Sequence, residues 1–289
     1  MKAALLPDRG VVRITGEPAR DFLNGLLTAD ITAVTADRAA YAALLTPQGK
    51  MVVDFLLVEA PSADGFLFDC PRDLAGTLVQ KLNFYKLRAK VTIEDLSDTL
   101  GIVAIWNEGE TVDGPGFADP RLPALGRRVV KEPHLTATTA AELGAALAGP
   151  HDYEAHRIAL AVPRGGLDFT YGDAFPHEAD MDQLAGVDFA KGCYVGQEVV
   201  SRMQHRATAR TRVVPLAYEG FAPRPGTPVT AGDKVVGTLG SSAAGRALAL
   251  LRLDRVADAL AAGLPLTAGD VTVTPVKPDW AKFAWPGES

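Results

Sequence analysis

Cysteine is nearly missing from this chain: its 289 residues include two, Cys70 and Cys193. That scarcity excludes a disulfide framework and leads to the expectation of a reducing, cytoplasmic home. Long apolar runs are missing too. Leu100 to Trp106 and Leu248 to Leu253 are strand-length, far below the roughly 20 residues a membrane helix requires. Met1 to Leu6 is interrupted at once by Pro7, Asp8 and Arg9, unlike a secretory leader. Positive charge is in deficit, with 29 Lys and Arg against 35 Asp and Glu for a net −6. General nucleic-acid binding rests on neutralising many phosphates, so it is not expected. His134, His151, His156, His177 and His205 form no HExxH and no paired Cys/His spacing, and no metal site is expected. Phosphate-cradling GxGxxG and GxxxxGK[ST] patterns are also lacking.

The length suggests about two domains with a substantial core. Glu17 to Leu27 reads as a helix, with Pro18 in its first turn and Phe22, Leu23, Leu26 and Leu27 along one face. Tyr41 to Leu45 and Met51 to Val58 are rich in strand formers and flank Pro47-Gln48-Gly49-Lys50, a hairpin pattern. Gly65 to Cys70 adds a strand, Asp73 to Arg88 a helix, and Val91 to Glu94 and Leu100 to Trp106 two further strands. Thr138 to Ala148 and Asp152 to Ala161 carry helical patterns, and Pro163 to Pro176 is an irregular stretch expected to be functional. Hairpin-joined strands with intermittent helices indicate α+β with an antiparallel sheet. From about Thr211 short strands alternate with Pro/Gly turns, as in a small barrel. The expected organisation is an α+β region over 1–210 and a C-terminal β-barrel over 211–289.

The densest chemistry lies in Lys191-Gly192-Cys193-Tyr194-Val195-Gly196-Gln197-Glu198. Gly192 and Gly196 permit backbone geometries that a β-carbon forbids, and they let another group approach the main chain. Lys191 is two residues from the sulfur, where its charge favours the thiolate. Cys193 and Lys191 are therefore the candidates for chemistry, with Cys193 open as nucleophile, transient iron ligand or redox site. Basic residues form two local groups, Lys81, Lys86, Arg88 and Lys90, and Arg202, His205, Arg206, Arg210 and Arg212. Each reads as a solvated face or as a landing site for an anionic tail or phosphate.

Lys191 to Glu198, with Ser201-Arg202 and His205-Arg206 after it, resembles the signature of the YgfZ branch of the aminomethyltransferase-like (glycine cleavage T-protein) superfamily. Four other segments resemble that family in the expected order: Phe22 to Ile31, Leu45 to Lys50, Tyr85 to Val91, and Phe175-Pro176-His177-Glu178. The resemblance implies a folate-binding α+β region followed by a barrel, with tetrahydrofolate or another reduced folate as ligand. It implies an accessory factor that helps assemble or maintain iron–sulfur proteins, with iron–sulfur client or assembly proteins as partners. An indirect link to tRNA modification comes with it. No direct nucleic-acid or membrane partner is expected.

The resemblance also assigns residues. Glu178 falls where the family's pterin-binding glutamate sits, and a carboxylate accepts two parallel hydrogen bonds from an amino-pyrimidinone edge. Tyr153 aligns near an aromatic folate contact. Arg9, or Arg202 and Arg206, is assigned to the anionic glutamyl tail on charge alone. The glycine cleavage T-protein carries adjacent acids after a glycine pair, whereas Gly49-Lys50-Met51-Val52-Val53-Asp54 keeps one glycine and one acid. Asp54 is left as a folate-orienting residue or an outward-facing strand residue. Two rival readings follow: a folate-dependent aminomethyltransferase or one-carbon demethylase, and a protein-binding module whose folate pocket is vestigial.

Overall fold

In the computed structural model, residues 1–62, 64–107, 110–206 and 209–286 are described, and of Arg206 only the backbone. They form two units. The first comprises Met1–Tyr153 and Leu184–Gln197, the second Glu154–Gln183 and Glu198–Ser289.

Two five-stranded sheets build the first unit. One runs Ala40–Leu45, Met51–Glu59, Gly65–Pro71, Arg9–Thr15, Thr92–Asp95 in spatial order, antiparallel throughout. Its apolar face and the helices Ala19–Asn24 and Ala75–Tyr85 enclose a core that includes Leu23, Leu27, Phe55, Phe68 and Leu78. The second sheet runs Ala146–Leu147, Lys2–Leu6, Gly101–Trp106, Arg127–Lys131, Phe117–Ala118. Gly101 to Trp106 is buried at every position, so this strand reads as a continuous apolar run rather than an alternation.

The second unit holds a closed six-stranded barrel, Thr211–Tyr218, Arg246–Arg252, Lys234–Ala243, Pro228–Ala231, Leu266–Ala268, Val271–Pro275, with the last strand paired back to the first. Closure leaves no unpaired sheet edge. The α+β architecture with antiparallel sheets and a C-terminal barrel is as expected.

The irregular stretch after Pro163 is anchored through Asp168, whose side chain is fully buried. Its carboxylate accepts from Arg157 at 3.0 Å, from the Arg164 amide at 2.9 Å, and from the amide and hydroxyl of Ser241 at 2.7 Å each.

One expected element is corrected. The helix placed over Thr138 to Ala148 ends at Glu142, Gly144 turns the chain at φ +61°, and Ala146–Leu147 pairs in parallel with Lys2 and Ala3. Helix propensity in that alanine-rich segment gives way to sheet pairing.

Candidate functional site

The segment from Gly186 to Gly196 has little regular structure, yet its backbone is fixed by named bonds to two sequence motifs. The first is Phe22 to Ile31. Fully buried Thr28 donates its hydroxyl to the Gly186 carbonyl at 2.6 Å and accepts the Ala43 amide at 2.9 Å. The Asp188 amide then donates to the Thr28 carbonyl at 2.9 Å. The Asp188 carboxylate turns the chain by accepting the amides of Ala190 and Lys191 at 2.8 and 3.1 Å.

Lys191 completes the attachment. Its ammonium donates to the carbonyls of Asn24, Leu27 and Ala29 at 2.8, 2.8 and 2.7 Å. Asn24 is the last residue of a short helix, so the lysine satisfies oxygens that helix ends leave without an intrahelical donor. Burial pulls the ammonium down to about 8, against the opposing charges of Asp30 and Asp188. All three of its N–H groups are engaged by carbonyls, so Lys191 holds the loop in place; its sequence-assigned role was to favour the thiolate.

The second motif is the hairpin turn at Pro47 to Lys50. Gly196 has φ +82°, and a β-carbon there would meet the Thr46 carbonyl oxygen at 2.5 Å. Glycine is therefore required at 196. Gly192 differs: a β-carbon there meets nothing within 4 Å, and its φ is not in the left-handed region. The expected backbone need for glycine thus holds at one of the two positions.

Between these anchors Tyr194 is buried, with the Lys191 ammonium 5.5 Å from its ring centroid. Burial, then Asp188, pushes its phenol up to about 12. Val195 packs on the first unit's core. Gln197 opens the helix Gln197–Arg206, whose exposed pair Glu198 and Arg202 meets at 2.6 Å. Cys193 itself is exposed. Cys70 is fully buried, and burial pushes its thiol up to about 12. The loop therefore presents one accessible sulfur on a fixed backbone.

Three folate candidates converge elsewhere in the first unit. Asp69, with no exposed side-chain surface, pairs with Arg9 at 2.5 Å and Arg128 at 3.3 Å. Arg128 donates to the Tyr153 hydroxyl at 3.0 Å and pairs with Asp119 at 3.4 Å, and Asp119 pairs with Arg121 at 2.6 Å. Arg121 lies 5.4 Å from the ring centroid of Tyr41, whose hydroxyl donates to Asp54 at 2.8 Å.

This network is what Arg9, Tyr153 and Asp54 serve. The Arg9 fork is committed to Asp69, through its carboxylate and, at 2.6 Å, its carbonyl. Tyr153 is packed edge-on against Trp106. Asp54 is buried, which corrects the outward-facing alternative. One buried donor, Arg128 Nε, lacks a partner among the described residues. The Arg9 fork, the Tyr153 hydroxyl and the Asp54 carboxylate are each engaged inside the network, so the three do not fit a folate as a set.

Glu178 belongs to the second unit. It is half-buried, and its Oε2 accepts the Phe175 amide at 2.9 Å while its carbonyl accepts the Val213 amide at 2.9 Å. The second basic group is divided. Arg202 pairs with Glu198, Arg212 is buried against Asp180 and Asp182 at 2.9 and 2.8 Å, and the Arg206 side chain lies outside the described residues. Thr28, Asn24 and Asp188 were given no role by sequence reasoning. The signal was present in Asp188, a carboxylate two and three residues before the amides it caps.

Residues 210–283 match the CAF17 C-terminal beta-barrel domain. The iron–sulfur cluster assembly factor IBA57, mitochondrial, of Mus musculus is 32% identical over 314 residues, covering 97% of this chain and 84% of its own. The chain belongs to the IBA57 family. The Homo sapiens IBA57 is 30% identical, with the same coverage. A Mycosarcoma maydis IBA57 homolog is 34% identical over 234 residues, 75% of this chain, and the chain spans only 57% of that relative's length. In structure, the glycine cleavage system aminomethyltransferase T from Bartonella henselae matches with a TM-score of 0.73 at 13% identity, over 98% of this chain and 87% of that one. That likeness shows the fold. The IBA57 relatives are mitochondrial by name, which overturns the cytoplasmic assignment. Scarce cysteine reports a redox condition, and the cytoplasm is not the only place that meets it.

Proposed function

We propose that this chain is a YgfZ-type accessory factor in iron–sulfur protein assembly, in which Cys193 lends one thiolate ligand to an iron–sulfur cargo. The observation that carries this reading is a single exposed thiol on a loop held by Lys191, Thr28 and Gly196. Iron–sulfur clusters are held by four protein ligands. One sulfur supplies one of them, so the others come from a client or assembly protein. The relatives named as iron–sulfur cluster assembly factors support the same role. An effect on tRNA modification would pass through an iron–sulfur enzyme.

Reduced folate rests on Glu178 alone. The aminomethyltransferase rival is weakened by Asp54, which is buried under the Tyr41 hydroxyl. The engaged Arg9 and Tyr153 favour a vestigial pocket as the second reading.

The test is complementation in cells that lack the gene, with the activity of an iron–sulfur enzyme as readout. Cys193→Ser is expected to fail while accumulating as folded protein, and Cys70→Ala to restore activity. Full activity with Cys193→Ser would remove the thiol from the function.

A further inference from the structure

The helix Ala75–Tyr85 ends on a left-handed turn that leaves large apolar side chains in solvent. Lys86 caps it and Leu87 follows in the left-handed region at φ +44°. Helices normally place glycine at this position, because a β-carbon there is strained. Here a leucine occupies it with 88% of its surface exposed, beside Phe84 at 73%. No larger exposures occur on this unit's large apolar residues among those described.

Positive charge flanks the pair along the chain. Lys81, Arg88 and Lys90 are exposed and Lys86 is half-buried, and none of the four side chains has an ion pair or hydrogen bond among the described residues. From Leu74 to Val91 there is no acidic residue, in a chain that carries 35. Lys81 precedes Phe84 by three positions and so shares its helix face.

We propose that this patch is a peripheral docking site for an anionic phospholipid surface, independent of the Cys193 loop. Phe84 and Leu87 protrude, and a bilayer accepts protruding apolar groups without a matching cavity. Three of the four cations are lysines, which protein interfaces tend to exclude and anionic headgroups attract. No helix among the described residues is long and apolar enough to cross a membrane, so the contact is at the surface.

The experiment is flotation of the full chain with phosphatidylcholine vesicles, with and without an anionic phospholipid, at low and high salt. Binding to the anionic vesicles is expected to exceed that to the neutral ones at least about tenfold, and to weaken as salt screens the charges. Leu87→Gly separates docking from folding, since glycine relieves the left-handed strain: its thermal midpoint is expected to hold or rise while flotation falls about tenfold. Replacing Lys81, Arg88 and Lys90 with Gln is expected to abolish flotation. Equal flotation with both vesicle types, or unchanged flotation of Leu87→Gly, overturns the proposal. Retention on immobilised polyglutamate without any flotation also overturns it, by assigning the patch to an acidic protein.

Discussion

Residue 196 and the Thr46 carbonyl leave no room for a side chain: a β-carbon on 196 would stand 2.5 Å from that oxygen and 3.1 Å from the Cα of Gly49. The cysteine motif and the Pro47–Lys50 turn are thus two halves of one packing contact. Gly196→Ala is expected to cost about 2–3 kcal/mol, combining positive-φ strain with the clash. Gly192→Ala, which meets open space, is expected to stay within about 0.5 kcal/mol. Urea denaturation of both variants checks this, and equal costs would contradict it.

Lys191→Met removes the shared donor of three carbonyls, and a loss of about 1–3 kcal/mol is expected, with faster amide exchange from Asp188 to Tyr194. Burial lowers this ammonium from 10.5 to about 8. Between those values the unfolded chain retains a proton that the folded chain has released. Stability from this group therefore rises with pH across that window. An NMR titration of the lysine side chain with its midpoint near 10.5 would contradict this lowering.

The two thiols are expected to separate under a colorimetric thiol reagent. Cys193 is exposed and reacts in the native state; Cys70, fully buried with its thiol raised to about 12, reacts only on unfolding. One equivalent before denaturant and two after is the expected count, and two native equivalents would place Cys70 in reach of solvent.

The hairpin Ala40–Leu45 with Met51–Glu59 and the barrel strands were legible because strand formers sit between turn residues. The octapeptide stood out in the sequence because it sets Lys, Gln and Glu beside one of two cysteines. What each residue does there was not legible. The three partners of Lys191 are backbone oxygens more than 160 positions away, and carbonyls leave no mark in a sequence. Arg9 and Tyr153 look like ligand groups by charge and ring alone, whereas Asp69 and Arg128, which engage them, come from other strands.

Arg9→Gln is expected to destabilise the fold by about 3 kcal/mol, because it leaves the Asp69 carboxylate buried with its main partner gone. Tetrahydrofolate titration should show no dependence on Arg9 in conditions where the variant stays folded. Any affinity is expected to fall roughly 10- to 100-fold in Glu178→Ala. Loss of binding in Arg9→Gln at unchanged stability would restore its assignment to the glutamyl tail.

If Cys193 lends one ligand and a partner supplies the rest, the isolated chain does not retain a cluster. Among the described residues no three His, Cys, Asp or Glu side chains are grouped to hold a metal ion. Anaerobic purification of the isolated chain, followed by gel filtration and iron and sulfide analysis, decides whether it does. The expected result is iron and sulfide far below one cluster per chain. A near-stoichiometric cluster that survives gel filtration and disappears only in Cys193→Ser would show instead that the chain carries the cluster by itself.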